Sequence, residues 1–230
     1  HATMLGRSMA GSGFDIYKQM NQINPKMEAG AYNITAKCSM ETASAREADC
    51  FTTVSRITAD EATVFLGRSP DVVTPNGLDM RVIPDYSAER DVPAGARAKL
   101  LGAAGRLLRR ELAPDTRIFI ISGRYEYHNK GVDVFLDALA GVNEALRQSQ
   151  TNVLALCASW AGTAGQSRCV GGDPSKISDQ GPYWISSHHV YNQPQDPILN
   201  ACKRLGLDNR PENHVQVIFD PALLDATTAS

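Results

Sequence analysis

The chain has no apolar run approaching the length of a membrane span, which argues against a helical membrane protein. Its first residues carry no signal-peptide pattern. Charge of one sign is also missing: 23 Lys and Arg against 25 Asp and Glu leave a net charge of −2. Bulk electrostatics therefore call for neither nucleic acid nor an anionic membrane as partner, although a compact basic pocket fits that balance. Cysteine is sparse. Cys38, Cys50, Cys157, Cys169 and Cys202 are odd in number and form no CxxC pair. That spacing argues against a zinc site and fits a reduced, cytoplasmic compartment. There are no internal repeats.

What remains is an ordinary globular composition, 43% hydrophobic and 21% charged. The 230 residues suffice for one large or two small domains. The chain opens on His1 and reads like the interior of a gene, so a fragment of a longer protein is expected.

Residues 1–13, rich in glycine and serine, read as a loop. Met27, Ala31, Ile34, Cys38 and Ala45 recur at helical spacing and predict one amphipathic helix over about 26–47. Cys50–Val54 is a short strand candidate, Ser55 caps a helix running to about Leu66, and Asp71–Thr74 is another strand. Pro75-Asn76-Gly77 then turns the chain. Residues 79–93 have no period and read as a linker or domain crossing. Leu100, Leu101, Ala104, Leu107, Leu108 and Leu112 predict a helix over 94–112. Its cations Arg97, Lys99, Arg106, Arg109 and Arg110 form either a solvated face or an anion site. A strand at 116–122, a helix on the stripe Val132, Phe135, Leu136, Leu139, Val142, Leu146, and a strand at 152–158 follow. Residues 160–182 are a long loop, 196–205 a short helix and 214–219 a strand. This alternation is the grammar of a parallel sheet, in two incomplete doubly wound pieces.

The chemistry concentrates at 117–131. An apolar strand ends at Ser122, Gly123 and Arg124 follow, and Lys130 stands at the next helix with Asn129 as its expected N-cap. Ligands of open α/β sheets lie beyond the carboxyl ends of the strands. A forked guanidinium, an ammonium and a helix N-terminus together suit a phosphate or diphosphate. The alternative is a plain salt bridge from Arg124 to Glu126 with Lys130 in solvent. The adjacent His188 and His189 would point apart on an extended chain, which disfavours a shared metal. Tyr125, Tyr127, Trp160 and Trp184 read as packing residues rather than sugar platforms.

Five segments in register resemble one family. They are His1-Ala2-Thr3-Met4-Leu5-Gly6-Arg7; Phe51 to Thr58 with Val73-Thr74-Pro75-Asn76-Gly77-Leu78; Gly123 to Gly131 with Phe135-Leu136 and Ala138-Leu139-Ala140; Asp196-Pro197-Ile198-Leu199; and Val217-Ile218-Phe219 with Pro221. The sequence is similar to the glycogen synthases of the animal and fungal type, glycosyltransferase family 3. The resemblance implies an α/β fold of GT-B type: parts of two Rossmann-like doubly wound domains facing a cleft, here 1–92 and 93–230. It implies retaining transfer of glucose from UDP-glucose to the non-reducing end of an α-1,4-glucan, with no cofactor and no metal. Arg124 and Lys130 match the family's diphosphate-binding pair, and Arg7 a further basic residue near the donor phosphates. His1 matches the histidine that contacts the transferred glucose, and Asn76 is a weaker match in the sugar or acceptor region. Glucose 6-phosphate as activator and a homo-oligomer are implied for the full-length protein.

The family's N-terminal Gly-rich loop and its Glu-x7-Glu segment have no counterpart in this chain, and its long helical insertion is shortened to about 150–185. The chain alone is therefore expected to be inactive. A related GT-B glucosyltransferase, or a noncatalytic glucan-binding scaffold derived from one, stand as alternatives.

Overall fold

The computed structural model describes residues 2–83, 91–164 and 185–222. The chain divides into two compact units, His1–Pro84 and Asp85–Ser230.

In the first unit, α1 (Met4–Gly11) and the short α2 (Ile16–Gln19) precede α3 (Pro25–Ala31) and α4 (Thr35–Glu47). Then come β1 (Thr52–Thr53), α5 (Arg56–Leu66) and β2 (Val72–Val73). The two strands pair in parallel, Thr52 with Val72 and Thr53 with Val73. Residues 4–11 are thus a helix and not a loop. Thr3 caps it by accepting from Gly6 N–H, and Leu5 and Met9 bury beside Ile16 and Phe65. The single helix expected over 26–47 is two helices. Asn33, at φ 54°, takes the left-handed conformation that ends a helix. Ser55 caps α5 in a reciprocal capping box with Thr58. Arg68 donates to the carbonyls of Ala45 and Ala48 at 2.6 and 2.8 Å and pairs with Asp71 at 2.8 Å. A cation thereby sits on the carbonyl end of α4 and ties it to the start of β2.

The first described element of the second unit is α6 (Asp91–Leu108), so helix already replaces the end of the expected linker. It also stops short of Leu112. The parallel strands β3 (Arg117–Ser122), β4 (Val153–Ala158) and β7 (Val215–Asp220) lie in the order β3-β4-β7. Between them run α7 (Val132–Ala145), β5 (Thr163–Ala164), β6 (His189–Val190) and α8 (Pro197–Arg204). Strand alternation sorts the core. Val153, Ala155 and Cys157 with Val215, Val217 and Phe219 bury against α7 and α8. Leu154 and Ile218 bury against Leu101, Ala104, Leu107 and Leu108 of α6. Helices therefore cover both faces of a parallel sheet, as an α/β fold requires. Arg97 gives its guanidinium to the carbonyls of Pro114 and Thr116, so it fastens α6 to the start of β3. Arg109 and Arg110 also have partners. Most of the loop expected at 160–182, together with Trp184 and Cys169, lies outside the described residues.

Candidate functional site

Arg117–Ser122 forms a strand because Ile118 and Ile121 pack while its backbone pairs with β4 over its whole length. Gly123 leaves the sheet with its N–H still donating to the Ala158 carbonyl at 3.2 Å. The chain then turns over Arg124 to Gly131. Lys130 N–H donates to Glu126 O at 2.9 Å, and Val132 N–H to Tyr127 O at 3.0 Å. The helix that follows starts at Val132, and its N-cap is Gly131 at φ 69°, with no side-chain cap. The expected arrangement of Asn129 as cap and Lys130 in the first turn is therefore corrected. A left-handed residue is needed to swing the chain into α7, and glycine takes it without Cβ strain. Asn129 instead donates to Glu126 Oε2 at 3.3 Å.

Arg124 and Lys130 are both exposed at the carboxyl end of β3. The Arg124 guanidinium rests 3.3 Å from Glu126, and its side chain is 63% exposed. Among the described residues Lys130 forms no ion pair, and its stem passes over Gly123. Its Cδ lies 3.6 Å from where a Cβ at that position would stand. One short loop thus carries both predicted cations, and Arg124 makes the salt bridge weighed as the alternative, with Lys130 exposed. An exposed pair of this kind is worth roughly 0–1 kcal/mol, so it does not commit Arg124.

The loop is anchored behind these cations by Tyr125. Its ring stacks on Phe219 at 5.7 Å, and its hydroxyl donates to Asp196. Asp196 is buried and also caps α8 by accepting from Leu199 N–H at 2.9 Å. Burial, and then the Asp196 carboxylate, push the Tyr125 phenol well above its usual range. A cavity of about 370 Å³ adjoins this anchor, lined by Tyr125, Trp160, Tyr191 and Gln195 among others. Trp160 and Tyr191 are exposed, not packed in a core.

At the same carboxyl end of the sheet, beside β7 at its other edge, Ser187 donates to Asp220 Oδ1 at 2.8 Å, and His188 Nδ1 lies 2.9 Å from the Ser187 hydroxyl. His189 is exposed on β6.

The other predicted residues belong to the first unit. Arg7 is half-buried on α1 and has a partner. Asn76 is exposed in the coil after β2. His1 lies outside the described residues. Sequence reading missed Glu61 and Glu41, whose carboxylates hold the start of α1. Glu61 is fully buried, accepting from Thr3 N–H at 2.7 Å and Thr3 Oγ–H at 2.6 Å. Its position four residues before the buried Phe65, on the apolar side of α5, was the available signal.

Among the described residues no group of three or more His, Cys, Asp and Glu side chains is placed to hold a metal ion. None of the described helices is long and apolar enough to cross a membrane.

Known proteins are similar to this chain in sequence. The glycogen synthase family model matches residues 1–164. Glycogen [starch] synthase, liver, of Rattus norvegicus is 30% identical over 282 residues, covering 99% of this chain and 40% of the relative. Glycogen [starch] synthase of Neurospora crassa is 30% identical over 284 residues, with 98% and 40% covered. That of Dictyostelium discoideum is 39% identical over 157 residues, with 65% and 17% covered. The chain spans about 40% of the length of the rat and Neurospora relatives. Those two alignments run longer than its own 230 residues, so the relatives carry internal residues that it lacks. The family model runs from α1 through β5 and takes in the cation-bearing loop: the chain belongs to the glycogen synthase family.

Proposed function

We propose that this chain is part of a retaining glucosyltransferase that moves glucose from UDP-glucose to the non-reducing end of an α-1,4-glucan. The observation that carries the reading is the Gly123–Gly131 loop, with two exposed cations at the carboxyl end of a parallel strand. A sugar nucleotide releases its nucleoside diphosphate, and the transition state parts a leaving group that gains negative charge from an oxocarbenium-like sugar. Cations held where that charge develops lower the barrier most. The diphosphate draws Arg124 away from Glu126 at little cost, since the exposed pair is weak. Lys130 adds a point charge, and Arg124 a planar fork that fits two oxygens.

In this reading the two units are portions of the N-terminal and C-terminal Rossmann-like domains of a GT-B enzyme, which face a cleft. Arg7 approaches the donor phosphates, His1 orients the transferred glucose and Asn76 serves the sugar or acceptor region. The full-length protein works in the cytoplasm, responds to glucose 6-phosphate and forms a homo-oligomer.

The test is transfer of labelled glucose to glycogen by the full-length protein, offered UDP-glucose and ADP-glucose in parallel. Incorporation from UDP-glucose into α-linked product is expected. Preference for ADP-glucose overturns the donor assignment, and no incorporation from either overturns the activity.

A further inference from the structure

We propose that Glu61 is a positioning residue for the donor site, acting through α1; this rests on the reading that Arg7 meets the donor phosphates. Glu61 stands on α5, yet its carboxylate is wholly buried against the start of α1. Oε1 accepts from the Thr3 backbone N–H at 2.7 Å and from the Thr3 hydroxyl at 2.6 Å, and Oε2 receives the Tyr17 hydroxyl at 3.3 Å. Glu41 of α4 takes the next N–H, that of Met4, at 2.9 Å. The Thr3 hydroxyl in turn receives Gly6 N–H at 3.0 Å. Two carboxylates from different helices thus accept the Thr3 and Met4 N–H groups at the start of α1 and place negative charge at the positive end of its dipole.

The fit is tight. A Cβ on Gly6 would stand 2.2 Å from Glu61 Oε1, so only glycine lets the carboxylate reach Thr3. The helix so fixed carries Arg7 directly after Gly6, and His1 lies just before Thr3. A shift of α1 by the length of one lost hydrogen bond moves Arg7 with it, and small misplacements of binding groups cost rate steeply.

A kinetic cycle on the full-length protein tests this. Glu61→Ala should lower kcat/KM for UDP-glucose at least about tenfold, while leaving KM for glycogen unchanged. Glu61→Gln keeps an oxygen acceptor in the same place and should stay within about threefold of wild type. Combined with Arg7→Ala, Glu61→Ala should add less than about a twofold further loss, because the two act through one contact. Should Glu61→Ala fail to fold, Thr3→Val removes the same hydroxyl bond and must give the same donor-selective loss. Full additivity of Glu61→Ala with an impaired Arg7→Ala overturns the positioning role. So does equal loss toward donor and glycogen. Arg7→Ala with wild-type donor kinetics overturns the donor-site reading instead.

Discussion

Glu41 is half-buried beside α1, and that burial pushes its carboxyl above the ordinary 4.5. A carboxyl whose pKa is higher in the folded protein contributes stability below the unfolded value and loses it as pH rises through the folded one. Glu41→Gln removes that dependence. Thermal melts from about pH 4 to about pH 7 should show the variant gaining on wild type as pH rises; a constant gap would contradict the assignment. Burial likewise pushes the Cys157 thiol up to about 12 and raises that of Cys202, whereas Cys50 is exposed. Iodoacetamide should therefore label Cys50 in the native protein and spare Cys157 and Cys202 until denaturation. At this scale the cations were legible, because Arg124 and Lys130 stand in a local strand–loop–helix pattern. Glu61 was not: its partner Thr3 is 58 positions away in sequence. A charged residue in a helix reads as solvated until the fold brings a distant donor to it.

Ser55 shows what local chemistry specifies at the scale of one element. Its hydroxyl and that of Thr58 satisfy each other's backbone N–H groups at 3.2 and 3.1 Å. Ser55→Ala should cost about 1 kcal/mol of stability, read as a lower midpoint in urea at unchanged slope. This helix is legible in the sequence because its start signal is local. The division of 26–47 into two helices is not, since the apolar spacing runs on through the break at Asn33. Residues 4–11 read as a loop because glycine and serine dominate them. What makes them helical is burial of Leu5 and Met9 against Ile16 and Phe65, a tertiary effect. At the cation loop the error was one of cap: Asn129 is the better N-cap by type, but the turn into α7 needs the positive φ of Gly131.

For the molecule as a whole, alternating strand and helix announced an α/β chain, and helices on both faces of β3-β4-β7 bear that out. The edge strand β3 leaves Phe119 42% and Ile120 57% exposed. Exposed apolar edges recruit other strands. The 230-residue chain in isolation should self-associate with concentration in analytical ultracentrifugation, and Ile120→Lys should suppress this.

The central claim is that the loop from Gly123 to Gly131 clamps the departing diphosphate. The most direct measurement is turnover of UDP-glucose by full-length Arg124→Ala and Lys130→Ala. If each cation supplies ~3 kcal/mol to the transition state, each variant loses on the order of 10²-fold in kcat. Turnover near wild type in either variant would contradict the account.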